Sequence, residues 1–470
     1  MKNNRRDFLK FTGLAGAGLL TGCSPKEIKV SSAASTISKK ERKQVFNMTG
    51  YAAPGMETVR LGFIGLGSRG PGHLNNASLL GGVEIKALCD LRPESITAAQ
   101  KRMKGLGHKP EIYTSGAEEW KKVCDRKDID VIYIATPWHL HTPMALYAME
   151  QGKHVCVEIP AATTLEECWQ LVETSERTRK HCVMLENNCY DFFELMTLNM
   201  VRQGFFGEII HGECAYIHDL FDMNFSKTQY QDMWRLKQNA NRNGNLYPTH
   251  GLGPICQIMN VNRGDKMDYL VSMSSNDFMM GPKAKELAAT DDFFKPYANK
   301  TFRGNMNTTT IRTNSGRTIM LQHDVTSPRV YSRIHLVSGT KASALKFPLP
   351  GRIATGHQDW LPEAEVKALE EKYQPAIVKK VGELAKQVGG HGGKDFLMNW
   401  RIIDCFRNGL PMDMDVYDGV LWSSMAPLSE FSVANRSNSV DVPDFTAGSW
   451  KTNSPVDISM VKGGNTEIKL

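Results

Sequence analysis

A cysteine-pairing pattern is missing from this 470-residue sequence. Of ten cysteines, nine follow Cys23 (residues 89, 124, 156, 168, 182, 189, 214, 256 and 405), an odd number in mostly apolar contexts, and no C-x-x-C pair occurs. That excludes a disulfide framework and reads most of them as small buried hydrophobes. A bilayer-length apolar run is missing as well: the Gly/Ala-rich stretch from Phe11 to Leu20 is too short for a stable span. Charge of one sign is also lacking in the folded part. Residues 1–43 hold ten Lys/Arg against three Asp/Glu, which accounts for the whole net charge of +7, and residues 44–470 balance at 47 against 47. The basic excess therefore belongs to the leader, and a nucleic-acid face is excluded. No internal repeat is visible, and the one low-complexity tract is the Ser/Ala/Lys stretch from Ser24 to Gln44.

What is present begins with an export pattern. Arg5-Arg6-Asp7-Phe8-Leu9-Lys10 resembles a twin-arginine signal, and Leu20-Thr21-Gly22-Cys23 resembles a lipoprotein cleavage box, making Cys23 the expected lipidated first residue of the mature protein. Residues 1–23 are thus assigned to the signal and 24–58 to a linker. The expected location is the periplasm or cell envelope, with the membrane reached only through a lipid on Cys23. Twin-arginine export moves folded proteins, so a cofactor can be loaded before crossing.

The apolar run Val59–Ile64 leads into Gly65-Leu66-Gly67-Ser68-Arg69-Gly70, and the next apolar run, Val83–Cys89, ends at Asp90. Strand, Gly-x-Gly-x-x-Gly, helix and a terminal acid form the dinucleotide fingerprint: a tight first turn, close backbone approach to pyrophosphate, close helix packing, and a carboxylate for the ribose hydroxyls. Further apolar runs at Ile129–Ala135, His154–Glu158 and Cys182–Glu186, separated by helices predicted at 142–151 and 164–180, predict a doubly wound parallel sheet. Beyond Glu208 the texture shifts to period two, with strands predicted at 209–217, 269–274, 308–313, 318–324 and 333–338. Helices are predicted over 361–388 and 393–436, with an irregular tail after Val440. The fold class is therefore α/β: a Rossmann domain (59–188) followed by an α+β domain (189–470) with a large, mostly antiparallel sheet, whose open face suits a homodimer. Trp400, Phe406 and Trp422 read as core rather than as a sugar platform.

This layout resembles the Gfo/Idh/MocA oxidoreductases, which usually carry Glu-Lys-Pro after the fifth strand; here the triplet is Glu158-Ile159-Pro160. Trp138-His139-Leu140-His141, Glu186-Asn187, Tyr247-Pro248-Thr249-His250, His391-Gly392-Gly393 and Asn435-Arg436-Ser437, with the glycine loop and Glu158-Ile159-Pro160, are together similar to glycoside hydrolase family 109. That resemblance implies an NAD-dependent α-N-acetylgalactosaminidase acting on glycans with a terminal α-linked N-acetylgalactosamine. It places NAD on Gly65, Gly67, Ser68, Arg69, Gly70, Asp90, Trp138, His139, Leu140, His141, Glu158, Ile159 and Asn187. It places substrate on Tyr216, Arg235, Tyr247, Pro248, Thr249, His250 and Tyr331.

The implied route oxidises C3, removes the acidified C2 proton, eliminates the C1 oxygen, adds water and re-reduces C3, so that a tightly held NAD is regenerated each turnover. His250, with an ordinary pKa near 6.5, suits the base, with Tyr247 assisting; helix capping or core packing is the alternative for that histidine. Arg235 suits the N-acetyl carbonyl, with a surface ion pair as its alternative. His139 and His141 lack further ligands at metal spacing, so no metal is expected. The alternative function is an NAD-linked sugar dehydrogenase of the Gfo/Idh/MocA type, which Ile159 and the export signal disfavour; a non-catalytic sugar-binding lipoprotein is a third.

Overall fold

The computed structural model describes residues 42–230 and 233–469; the expected signal, Cys23 and most of the linker lie outside them. The central strands β1, β4, β5 and β6 of the first half are short runs of β-branched and apolar residues, almost wholly buried, whereas β2 and β3 at one edge carry exposed Glu84 and Glu111; helices alternate with the strands. The order is β1 (Val59–Ile64), α1 (Gly70–Ser78), β2 (Val83–Cys89), α2 (Pro93–Arg102), β3 (Glu111–Tyr113), α3 (Glu119–Asp125), β4 (Val131–Ile134), α4 (Trp138–Glu150), β5 (His154–Val157), α5 (Leu165–Thr178) and β6 (Cys182–Met184). The six strands are parallel, in the order β3-β2-β1-β4-β5-β6. Strand order reverses between β1 and β4, where Leu61 pairs with Val131. A ligand crevice opens at the carboxyl ends of such a pair.

The second half starts with α6 (Phe192–Arg202), β7 (Ile209–Ile217), α7 (Phe221–Phe225), α8 (Trp234–Asn239), α9 (Thr249–Ile258), β8 (Met267–Ser274) and α10 (Met280–Thr290). It continues through β9 (Asn307–Thr313), β10 (Thr318–Asp324), β11 (Ser332–Gly339), β12 (Ser343–Leu345) and β13 (Arg352–Ala354). Helices α11 (Glu363–Tyr373), α12 (Ala376–Val388), α13 (Lys394–Asn408) and α14 (Val416–Ala434) follow, then β14 (Val440–Asp441). The eight strands run β13-β12-β11-β7-β10-β9-β8-β14, antiparallel except for the β7–β10 pair.

Several boundaries depart from the sequence reading. The long helix expected over 361–388 is two, broken ahead of Pro375. The one expected over 393–436 breaks at Gly409, which caps α13 in the left-handed region (φ 59°). Asp415 and Asp418 then form a capping box that starts α14. Helix α4 begins at Trp138 behind Pro137, not at 142, so Pro143 sits inside it. The three-residue strand β3 was too short to read from periodicity. All nine described cysteines are buried and unpaired, and Trp400, Phe406 and Trp422 are in the core.

Segments at both ends of the described residues bind the halves together. Arg42 donates to Glu176 of α5 (2.8 Å) and to Phe445 O (2.9 Å). At the other end Gly81 N–H donates to Glu467 O (2.8 Å) and Lys469 N–H to Leu79 O (2.7 Å), just past α1. Helix α13 packs on α1, and α14 lies against α5, β6 and β8.

Candidate active site

Steric rules shape the loop after β1. Gly65 adopts φ +89°, and a Cβ there would meet the Ala135 carbonyl carbon and oxygen at 2.7 Å; a Cβ on Gly70 would lie 1.9 Å from Gly65 O. At Gly67 a Cβ would meet nothing within 4 Å, because that residue faces a cavity of ≈ 1660 Å³. The volume exceeds the ~300–1,000 Å³ of most ligand pockets and leaves room for a dinucleotide and a sugar together. The amino terminus of α1 abuts the loop, a favourable place for pyrophosphate. Asp90 accepts from Leu66 N–H (2.7 Å) and Arg92 N–H (2.9 Å), which fixes its carboxylate at the cavity wall with lone pairs to spare. Backbone room, helix terminus and oriented acid all fit a dinucleotide.

Deeper in the cleft, Arg69 spans two carboxylates. Its Nε donates to Glu158 Oε1 (2.9 Å) and its Nη1 to Asp395 Oδ2 (3.1 Å). His73 Nε2 also meets Glu158 Oε1 at 2.7 Å, while Asn399 Nδ2 approaches its Nδ1 at 3.1 Å. Burial disfavours the Glu158 anion, but Arg69 and His73 outweigh it and hold the carboxyl well below its usual range. Asp395 behaves alike: burial opposes its charge, while His391 (2.7 Å) and Arg69 keep it ionised. Asn187 Nδ2 donates to Asp395 as well, at 2.5 Å.

Across the cleft stands a cluster from the second domain. Tyr216 closes β7, its ring 4.5 Å from that of Tyr247 and 5.3 Å from that of His250. The Tyr247 ring stacks with Trp138 at 5.6 Å. Arg235 is buried among aromatic faces, 4.8 Å from Tyr230, 4.9 Å from Tyr247 and 5.2 Å from Trp138, and donates to Tyr230 Oη at 2.5 Å. It is no surface ion pair. His250, in the first turn of α9, places Nδ1 2.8 Å from Glu186 Oε1, which also accepts from Asn188 N–H (3.0 Å). A carboxylate on Nδ1–H leaves the Nε2 lone pair for the cavity, the arrangement of a general base. Burial lowers the His250 pKa, with Glu186 pulling partly the other way.

The cavity gathers most of the residues singled out in the sequence: Gly65, Gly67, Ser68, Arg69, Asp90, residues 138–141, Glu158, Ile159, Asn187, Tyr216, Arg235, Tyr247, His250 and Tyr331. Gly70, Pro248 and Thr249 do not line it. Gly70 packs behind the loop, and Pro248 and Thr249 start α9 and so aim His250. His141 lines the wall with both ring nitrogens on carbonyls, Pro160 O and Thr136 O, each at 2.7 Å, which ties the ends of β4 and β5 together. The sequence reading missed His73, Glu186 as the partner of His250, His218, whose Nδ1 meets Tyr216 Oη at 2.9 Å, Lys394 and Asp395. Only His391-Gly392-Gly393, glycine-rich and next to the last two, was a signal that could have found them.

A dinucleotide-binding Rossmann domain facing an open sheet across a polar, aromatic-lined cleft defines a nucleotide-dependent enzyme. Residues 59–186 match the oxidoreductase family with NAD-binding Rossmann fold, and residues 190–452 match the glycosyl hydrolase 109 C-terminal domain. A glycosyl hydrolase family 109 protein of Shewanella pealeana is 47% identical over 467 residues, covering 97% of this chain and 99% of that one. An α-N-acetylgalactosaminidase of Shewanella oneidensis is 45% identical over 463 residues, covering 97% and 98%. In fold, the chain is similar to levoglucosan dehydrogenase in complex with NADH, with TM-score 0.59, 19% identity, and 82% and 100% of the two chains covered. The chain belongs to glycosyl hydrolase family 109: it is a glycoside hydrolase whose cofactor is NAD(H).

Proposed function

We propose that the enzyme releases terminal α-linked N-acetylgalactosamine through oxidation at C3, elimination across C1–C2, water addition and re-reduction, with NAD held throughout. The observation that carries this reading is the His250–Glu186 pair, whose free nitrogen faces the cavity that the dinucleotide loop also lines. Gly65, Gly67, Ser68, Asp90 and the amino terminus of α1 would hold the cofactor, with residues 138–141, Glu158, Ile159 and Asn187 completing its wall. Bound NAD(H) supplies a hydride acceptor and then a hydride donor, with no net redox change over a turnover. His250 Nε2 takes the C2 proton, and Glu186 stabilises the imidazolium that results. Arg235, kept charged within its aromatic box, is placed to hold an amide carbonyl such as the N-acetyl group. Tyr247 and Tyr216 offer hydroxyls: burial pushes both phenols up, so they act as donors to sugar oxygens. The relative named α-N-acetylgalactosaminidase supports the choice of sugar.

The test is proton NMR of an aryl α-N-acetylgalactosaminide hydrolysed in D₂O by purified protein with no NAD added. Free sugar carrying deuterium at C2 is the expected product. Release with the C2 proton retained, and with no isotope effect from a substrate deuterated at C2, would remove the elimination route, since a shielded base can return the same proton; release only after NAD⁺ is added would remove the tightly held cofactor.

A further inference from the structure

His391-Gly392-Gly393 is the motif that the reading above leaves without a role. Its backbone runs through φ values of +48°, +74° and +100°, and a Cβ on Gly393 would meet the Ala385 carbonyl carbon at 2.8 Å. The consequence of this tight turn is the position of the next residue. Lys394 becomes the first residue of α13, is 8% exposed and lines the cavity together with Ile159, Asn187, His250 and Tyr331. An ammonium buried at the positive end of a helix is unfavourably placed for stability alone, so its presence calls for a chemical reason.

Its surroundings make it a group that can give up a proton. Nζ donates to Asn188 Oδ1 at 2.5 Å and stands 3.5 Å from Asp191 Oδ2. Asp191 is already answered by Arg333 (2.9 Å) and Lys346 (2.5 Å), and so is Glu194, at 3.0 and 2.7 Å. Three cations thus share two carboxylates. Burial, with Arg333 adding to it, lowers the Lys394 pKa to about 8, against the pull of Asp191 and Glu194. On the other side are His250, whose own proton affinity Lys394 reduces, and Asp395, which is occupied by Arg69 and His391.

Several other groups lining the cavity are engaged: Ile159 offers only hydrocarbon, Glu158 is engaged by Arg69 and His73, His218 meets Tyr216 Oη, His391 meets Asp395, burial pushes the Tyr216 and Tyr247 phenols up, and His250 is assigned to C2. We propose that Lys394 is a catalytic residue: it takes the proton of the sugar hydroxyl that is oxidised and returns it when the ketone is reduced. This rests on the oxidation–elimination reading. In the forward step the C3 O–H bond breaks and its proton joins the Nζ lone pair, while the O–H electron pair becomes the second C–O bond. The C3 hydrogen leaves with both its electrons to the bound nicotinamide, and reduction reverses each transfer.

Two measurements test it. Competitive acetylation of the NAD-loaded wild-type protein across pH 6–11, read by mass spectrometry on the Lys394 peptide, should show half-labelling near pH 8 and protection by N-acetylgalactosamine. A Lys394 that is unlabelled at every pH, or labelled alike with and without sugar, overturns the proposal. In turnover, Lys394→Met and Lys394→Arg should each lose at least about 100-fold in kcat with NAD still bound. Arginine keeps the charge beside Asn188 and Asp191 but cannot accept a proton, so near wild-type turnover in Lys394→Arg would make the residue a structural cation and overturn the proposal. Should Lys394→Met fail to fold, the labelling on wild type still decides. Failure of the underlying reading shows separately, as C2 hydrogen retained in D₂O by the wild-type enzyme with no isotope effect from a C2-deuterated substrate.

Discussion

Replacing His250 with alanine is expected to cut turnover of an aryl α-N-acetylgalactosaminide by about 10²–10⁴-fold, the usual contribution of a positioned general base. Bound NAD should be unchanged. The two effects separate because His250 sits at the start of α9, whereas the glycine loop and Asp90 belong to β1, α1 and β2. Glu186→Gln keeps an oxygen opposite Nδ1 and removes the charge, so it should retain more activity than His250→Ala. The pH profile carries a sign as well. Burial lowers the His250 pKa, so the neutral, proton-accepting form persists below the ordinary value near 6.5. The His250 ionisation, read by NMR titration of its imidazole, should therefore fall below pH 6.5, beneath the limb near pH 8 that Lys394 sets on kcat, and Glu186→Gln should move it lower still, because the carboxylate favours the imidazolium. Retained turnover in His250→Ala, or NAD lost together with activity, would sink the assignment.

Gly70→Ala should be the most disruptive single methyl in the dinucleotide domain. The added Cβ would sit 1.9 Å from Gly65 O and 3.0 Å from its carbonyl carbon, and both are backbone atoms with nowhere to go. Gly65 cannot retreat, since it already lies against Ala135 and Thr136. A loss of at least about 1–3 kcal/mol in stability follows from overpacking of this kind, seen as a lower melting temperature, along with loss of NAD binding. Gly67→Ala makes the contrast. Its Cβ meets nothing within 4 Å, so the melting temperature without added cofactor should hold while NAD affinity falls, because the methyl enters the space pyrophosphate needs. If Gly67→Ala bound NAD normally, the cradle would be misplaced.

These two sites mark the limits of reading the sequence. Gly65, Gly67, Gly70 and Asp90 lie within 26 residues, and strand, turn and helix propensities report such local order directly, which made the Rossmann half legible. The partners of the acid–base groups are set by tertiary packing instead. Glu186 meets His250 across 64 residues, Arg69 meets Glu158 across 89, and Arg69 meets Asp395 across 326. No periodicity links them. The same reason hid His73, whose place in a helix with no strong apolar stripe reads as ordinary surface, although it is buried against Glu158. Boundaries failed where a cap outweighed a pattern: apolar periodicity continues through 393–436, but Gly409 turns left-handed and Asp415 restarts the helix. The helix expected over 142–151 starts four residues earlier, because Pro137 already caps it at Trp138.

The long-range pairing of the two halves has a consequence for how the protein is made. The ribosome delivers all six parallel strands before residue 190, yet the sheet then lacks α13 against α1, the Asp395 partner of Arg69, and the backbone bonds from Glu467 and Lys469 to the turn after α1. Part of the cavity wall of the half synthesised first is therefore held from the half synthesised last: Arg69, next to the glycine loop, meets Asp395 only once α13 has been made.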